Sequence, residues 1–319
     1  DFQGNSVIDF SNSIFENDVN FRGSKFKTLN FNKTIFKGKT EFNYSTFSND
    51  CDFSNTYFHS SSDFDLAKFN GNVNFSSSHF FSSANFKSNS NSDKSSKFQG
   101  EVNFSNVKFH GIINFSNRTF NNKTNFSGCI FENAPEFHNC TFHQNTKFPE
   151  YRNFKDTKSE DASRAYRTLS LAMAHFKARR EEAMFYALEQ KSLRKNLVFF
   201  DKVFSYCYDI SSNYGQSLGN VFFSMFILFI LFLTIYGMWF SPNININSSV
   251  DYEIIRESFV YTIQQIVKPF NVWIANNHSS NSNVHYVLFL KIVSTIQSLL
   301  FLIFITLLVF TIRWKFKRE

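Results

Sequence analysis

Phenylalanine recurs every five or six residues from Phe10 to Phe154. The run goes Phe10, Phe15, Phe21, Phe26, Phe31, Phe36, Phe42, Phe47, Phe53, Phe58 and on to Phe142, Phe148 and Phe154, and it takes up 26 of the chain's 46 phenylalanines. From Phe42 the steps alternate five and six, which makes an 11-residue unit; NFSNVKF followed by NFSNRTF shows it. A fixed period dictates the fold before local propensity does. A helix would space apolar residues three and four apart, and a strand would alternate them. A second column decides between them. Two residues before nearly every repeat Phe stands a small or apolar residue, among them Ile8, Ser13, Val19, Thr34, Ser45, Cys51, Thr56, Ala67, Val102, Cys129 and Cys140. Positions i−2 and i of an extended segment point the same way. Each short unit therefore turns one large and one small side chain inward. Ser, Asn, Lys and Gly follow the Phe positions and suit an exposed corner.

These two columns resemble the pentapeptide-repeat family, whose pattern is a large apolar centre residue with a small residue two before it. The resemblance covers about half the chain and implies a right-handed quadrilateral β-helix, a four-sided solenoid. Four units per coil would give about six coils, a rod roughly 30 Å long at a strand spacing of ~4.8 Å. The centre is Phe here, where the commonest members use Leu, and the six-residue steps imply a slightly bulged side. Arg118 interrupts the small column and is expected to seek a way out. The segment Lys87 to Lys97 (KSNSNSDKSSK) has no apolar residue and is expected to loop out from one corner. Solenoids need capped ends; Arg152 in the inward column, after Pro149, points to closure of the last coil.

The 319 residues allow two or three domains. The net charge of +7 is uneven: residues 1–154 hold 15 basic and 14 acidic side chains, so the excess lies beyond them. Neither an acidic DNA-like surface nor a basic nucleic-acid stripe is evident, and no nucleic acid is expected as partner. Cys51, Cys129, Cys140 and Cys207 show no metal spacing. They read as structural thiols in a reducing compartment. The chain begins at Asp1 rather than Met, so further residues are expected before it, and no secretory signal is visible.

Residues 155–215 form a helical adaptor between the solenoid, 1–154, and a membrane part, 216–319. Ser159 suits an N-cap, with Glu160 and Asp161 in the first turn. Ala162, Tyr166, Leu169, Met173 and Phe176 mark one apolar stripe at helical spacing, and Met184 and Leu188 begin a second. KARREE between them is either an exposed turn or the polar waist of one long helix. His175 and Glu189 invite comparison with a site, but a solvated face of a helical hairpin is the stronger reading. The segment resembles the helical pair that bacterial pentapeptide-repeat proteins with a channel-like C-terminal region carry between their two parts.

Residues 218–240 hold no charge and are long enough to cross a ~30 Å hydrocarbon core. Residues 284–312 make a second span with one charge, Lys291. Basic residues cluster before the first span (Lys191, Arg194, Lys195, Lys202) and after the second (RWKFKRE), so both termini are expected to be cytoplasmic in a bacterial-type inner or plasma membrane. Trp239 and Trp314 suit interfacial anchors. Between the spans, 252–268 reads as an amphipathic helix with Ile255, Phe259, Ile263 and Val267 on one face, stopped by Pro269. A span, a short helix ending in a loop and a second span resemble the potassium-channel pore module with its re-entrant pore helix. Non-helical backbone at membrane depth is tolerated only where it is buried or lines water. The resemblance is incomplete, because a potassium filter needs a Gly-containing run and no glycine follows Gly237.

Without that filter, Thr262, Gln264, Gln265 and Lys268 are the candidates to line a pore. A ring of Lys268 would favour anions; alternatively Lys268 snorkels to headgroups. On the second span Lys291, Ser294, Thr295 and Ser298 share a face that continues as Leu302, Ile305 and Val309, a candidate hydrophobic gate. Charge inside a membrane marks function by default, although Lys291 also lies within reach of the interface or of Glu257. The pattern points to an oligomeric channel in which the solenoid senses a partner or organises assembly. The competing reading is a membrane-anchored scaffold that offers the solenoid as a binding surface. No enzyme and no cofactor are expected: paired carboxylates, a Ser/His/Asp grouping and a Gly-rich phosphate loop are missing, and His59, His79, His110, His138 and His143 sit at variable surface positions.

Overall fold

The computed structural model describes residues 7–89, 97–240, 250–270 and 284–316. It divides the chain into two compact units, Asp1–Lys202 and Val203–Glu319. In the first, 22 strands, nearly all two residues long, run from β1 (Val7–Asp9) to β22 (Ile130–Phe131). Each pairs in parallel with the strand four further on, which builds four parallel sheets, two of six strands and two of five. That is about five turns of paired strand. The sixth expected coil is present only as isolated bridges, such as Asn114 to Glu136 and Phe131 to Phe154.

Every side of the coil contributes one Phe to the interior, and successive coils stack these rings into four ladders. One runs Phe15, Phe36, Phe58, Phe80, Phe109, Phe131 and Phe154, with centroids 4.6–5.2 Å apart. Rings from opposite sides meet edge to face across the interior, as Phe53 and Phe64 do at 90°. Both arrangements suit the ring quadrupole. The small column is more than a space-filler. Thr34, Ser45, Thr56 and Ser78 donate hydroxyl hydrogen bonds to the carbonyls of Phe10, Phe21, Phe31 and Phe53, and the thiols of Cys129 and Cys140 do the same for Phe104 and Phe115. Burial pushes the Cys140 thiol up to about 12 and the Cys51 thiol well above its ordinary value, so both stay protonated donors or fillers. The Asn or Asp just before many repeat Phe residues accepts from the backbone N–H two residues on, as Asp52 does from Ser54 and Asn114 from Ser116.

The five- and six-residue steps differ at their corners, not along a bulged side. The shorter step turns through a left-handed residue: Asn at 12, 55, 106, 117 and 139, but also Lys33, Tyr44, Leu66 and Ser77. Asn tolerates that conformation far better than Leu does. The longer step turns with the backbone pressed on the preceding coil. A Cβ at Gly100 would lie 2.5 Å from the Gly71 carbonyl carbon. Phe98 pairs with Phe69, 29 residues earlier, where Phe75 and Phe53 are 22 apart. The segment after Asn85 therefore inserts seven residues at one corner without disturbing the pairing; residues 90–96 of it lie outside the described residues.

Arg118 does not find a way out. It is fully buried, and its guanidinium donates to the carbonyls of Phe86, Ala67 (2.6 Å) and Phe64 (2.8 Å). Burial pulls its pKa down to about 9, with Asp65 opposing, so it remains charged at neutral pH. Its column contains Ala67, which has no hydroxyl, and then the inserted corner. One forked side chain thus serves carbonyls in two coils. Arg152 is also misplaced by the repeat pattern. It sits in a 3₁₀ turn (Tyr151–Asn153), is exposed, and pairs with Glu150 at 2.8 Å.

Two helices, α1 (Ala162–His175) and α2 (Arg179–Leu193), form a hairpin on the last coil. Phe148 and Phe154 meet Phe185 edge to face at 5.2 and 5.3 Å, and Tyr166 donates to the Asp156 carbonyl at 2.6 Å. Their buried residues belong to the same core as the Phe ladders, so the hairpin is the solenoid's cap rather than a separate adaptor. Asp161, not Ser159, precedes α1, and it makes no side-chain cap bond. The turn between α1 and α2 is short, Phe176–Ala178 with Lys177 left-handed, and Arg179 to Glu182 of KARREE already form the first turn of α2. Glu189 is nearly buried and pairs with Arg167 at 2.7 Å, while His175 stacks edge to face on Phe176.

A third helix, α3 (Phe199–Ser212), leads into the second unit. There α4 (Leu218–Phe240), α5 (Val250–Val267) and α6 (Val284–Phe316) pack together. Two windows, Leu218–Trp239 and Leu288–Arg313, are long and apolar enough to cross a membrane.

Candidate functional site

The second unit is inside out by the standard of a water-soluble protein. On α5 the apolar residues Ile255, Phe259, Ile263 and Val267 are exposed, while Ser258, Thr262 and Gln265 are buried. On α6 Ser294, Gln297 and Ser298 are buried, and Leu302, Ile305 and Val309 face outward. Polar residues turned inward and apolar ones outward suit a hydrocarbon solvent, in which helices associate through small and polar side chains.

The buried polar groups join in a seam. The Tyr236 hydroxyl donates to Gln297 Oε1 at 2.8 Å, and Gln297 Nε2 donates to the Thr262 carbonyl at 3.0 Å. Ser298 Oγ donates to the Gln265 carbonyl at 3.2 Å and accepts from the Phe270 N–H at 3.4 Å. Thr262 returns its own hydroxyl to the Ser258 carbonyl, and Ser294 and Thr295 return theirs to Lys291. At the far end Trp239 stacks on Phe289, centroids 4.1 Å apart. The side chain of Trp314, the other expected anchor, lies outside the described residues.

Of the candidate pore-lining residues, Thr262, Gln265, Ser294 and Ser298 are thus buried between helices of one chain. Gln264 and Lys268 are exposed, and Lys291 and Thr295 are half-buried. The Glu257 carboxylate, the suggested partner of Lys291, accepts from Arg256 at 3.0 Å. Gln265 Oε1 is buried and has no hydrogen-bond donor among the described residues. Tyr236 and Gln297 escaped the sequence reading. Both interrupt long apolar runs, which was the available signal, but their pairing depends on how α4 and α6 are rotated.

The solenoid presents a second feature. His59, His79 and His110 are not scattered; they share one outer face with Tyr57 and Phe81 on neighbouring coils. Tyr57 stacks on His79 at 5.0 Å, and Phe81 lies between His59 (4.8 Å) and His110 (5.1 Å), each within 2° of parallel. Burial, then Lys108 and His110, hold the His79 pKa below its ordinary value. Among the described residues no group of three or more His, Cys, Asp or Glu is placed to hold a metal.

A coil of two-residue parallel strands with an aromatic ring at the centre of each side is a β-solenoid. A family model for pentapeptide repeats, in nine copies, matches residues 2–46 and 94–141, so the repeats are of that family's kind. The matched segments make up less than a third of the chain, and the same strand pairing continues between them. No curated protein and no solved structure matches the chain.

Proposed function

We propose that the chain is a subunit of an oligomeric membrane channel with a cytoplasmic pentapeptide-repeat domain that senses a partner or organises assembly. The observation that carries this reading is where α5 ends. Trp239 and Phe289 mark one level on α4 and α6. Ser298, which holds the end of α5, lies nine residues further along α6, or about 14 Å at 1.5 Å per residue. That is roughly the middle of a ~30 Å hydrocarbon core. A helix that enters and stops at mid-depth supports the re-entrant arrangement, and a simple anchor has no use for it. Lys268 is exposed at that same end. A charge at mid-depth needs water or a neighbouring subunit beside it, which favours several copies around a lumen lined by Gln264 and Lys268. Leu302, Ile305 and Val309 are the gate candidates, and their outward position on α6 fits contact with other copies or with lipid.

The test is ion flux through liposomes holding the purified protein, under potassium, sodium and chloride gradients. Wild type should prefer chloride. Lys268→Glu should lower that preference about tenfold, equivalent to ~1.4 kcal/mol. An unchanged reversal potential removes Lys268 from the conduction path. A clean monomer by mass measurement in mild detergent overturns the multi-subunit pore. The ring cluster at Tyr57, His79 and Phe81 favours a second reading, a membrane-anchored scaffold, and flux under none of the gradients would move the balance to it.

A further inference from the structure

Among the described residues, none covers the apolar face of helix α3. Phe199, Phe200, Val203, Phe204 and Ile210 recur at helical spacing and are 43–74% exposed, and the exposed Cys207 lies among them. Only Ser211 and Ser212 of this helix are buried. A 14-residue helix that packs on so little is marginal in water, so its apolar face needs a covering. Five residues, 213–217, join it to α4, the first candidate span. Three of them, Asn213, Tyr214 and Gly215, are left-handed, and Tyr214 bonds back to Ser205 at 2.7 Å, which makes the junction a tight turn. Five residues reach at most ~18 Å, so if α4 crosses a bilayer, α3 lies at its surface.

We propose that α3 is an interfacial helix whose apolar face is covered by the lipid bilayer. The opposite face carries Asp201, Lys202 and Asp209, one cation against two anions. Attachment therefore comes from insertion of the aromatic and aliphatic side chains, not from attraction to anionic headgroups. Such helices bury their apolar face about 5–10 Å below the headgroup boundary. The inference rests on α4 being a span.

The experiment uses the full chain in nanodiscs of phosphatidylcholine, with and without anionic phosphatidylglycerol, and a nitroxide label on Cys207 in a C140S background. A second sample carries the label on the polar face, at Asp201→Cys with Cys207→Ser, and a third at Ile227→Cys within α4, also with Cys207→Ser. The expected result is that the Cys207 label is shielded from a water-soluble nickel relaxant and lies about 5–10 Å deep, while the label at position 201 is accessible, equally in both lipid compositions. A Cys207 label as accessible as that at 201, with the label at 227 shielded, overturns the interfacial helix and leaves the span standing. An accessible label at 227 overturns both. Shielding of Cys207 that requires anionic lipid overturns attachment by apolar insertion. Shielding that vanishes when each disc holds a single chain assigns the face to a second copy and overturns the proposal.

Discussion

Arg118 shows what one residue can do in a repeat. Ser45 and Cys140 in its column donate a hydroxyl or thiol proton to the preceding coil. Ala67 has no side-chain donor to offer, and the Arg118 guanidinium donates to the carbonyls of Phe86, Ala67 and Phe64 together. Replacing it with Leu leaves three carbonyls in a dry core without this donor, each worth ~1–3 kcal/mol before relaxation. The expected loss of stability for Arg118→Leu is about 3 kcal/mol in chemical denaturation of the full chain in mild detergent. A loss below about 1 kcal/mol would show that the neighbouring backbone finds other donors. The sequence marked Arg118 as a misfit and mistook its direction. A charged residue in an apolar column invites the idea of escape, because the ring of carbonyls that receives it exists only once the coils are stacked.

At the scale of elements, the helical hairpin closes the open end of the Phe ladders. Phe185 inserts between Phe148 and Phe154, where a seventh coil would otherwise place its rings. Phe185→Ala should cost about 3–5 kcal/mol through the cavity it leaves. Hydrogen exchange should then rise first in the last coil, around residues 141–154, since an uncovered solenoid end is a ready template for pairing. Exchange that rises evenly along the solenoid instead would mean that α1 and α2 do not act as a cap. Their apolar stripes were visible as Tyr166, Leu169 and Leu188, but not the surface they cover. Periodicity tells which face of a helix is buried and nothing about its partner. The same limit applies to α5 and α6: the polar stripe Ser294–Ser298 was legible, whereas its engagement by Thr262 and Gln265 depends on the rotation of one helix against another.

At the scale of the whole molecule, the pattern of burial changes along the chain. The solenoid and its cap follow the rules of water, with Phe inside and Asn and Ser at the corners. The second unit reverses them, with Ser258, Thr262 and Gln297 inside and Ile255, Phe259 and Val309 outside. The solenoid was legible because one column of identical side chains carries the register through 22 strands, whereas its corner geometry and the place of Arg118 were not. The ring cluster around Phe81 was not, because residues 22 to 31 apart become neighbours only through coiling. That coiling also has a mechanical consequence. The hydrogen bonds between coils run along the solenoid axis, so tension between the ends would break them in series, and the rod would peel like a wound thread. Each coil of 22 residues would release roughly 70 Å of slack at full extension. Peeling from the cap would stall at Arg118, which ties its own coil to carbonyls 32 to 54 residues earlier and makes several turns yield as one. The rod is therefore a graded tether, stiffest near its middle, and it pays out chain in steps set by the spacing of a single amino acid.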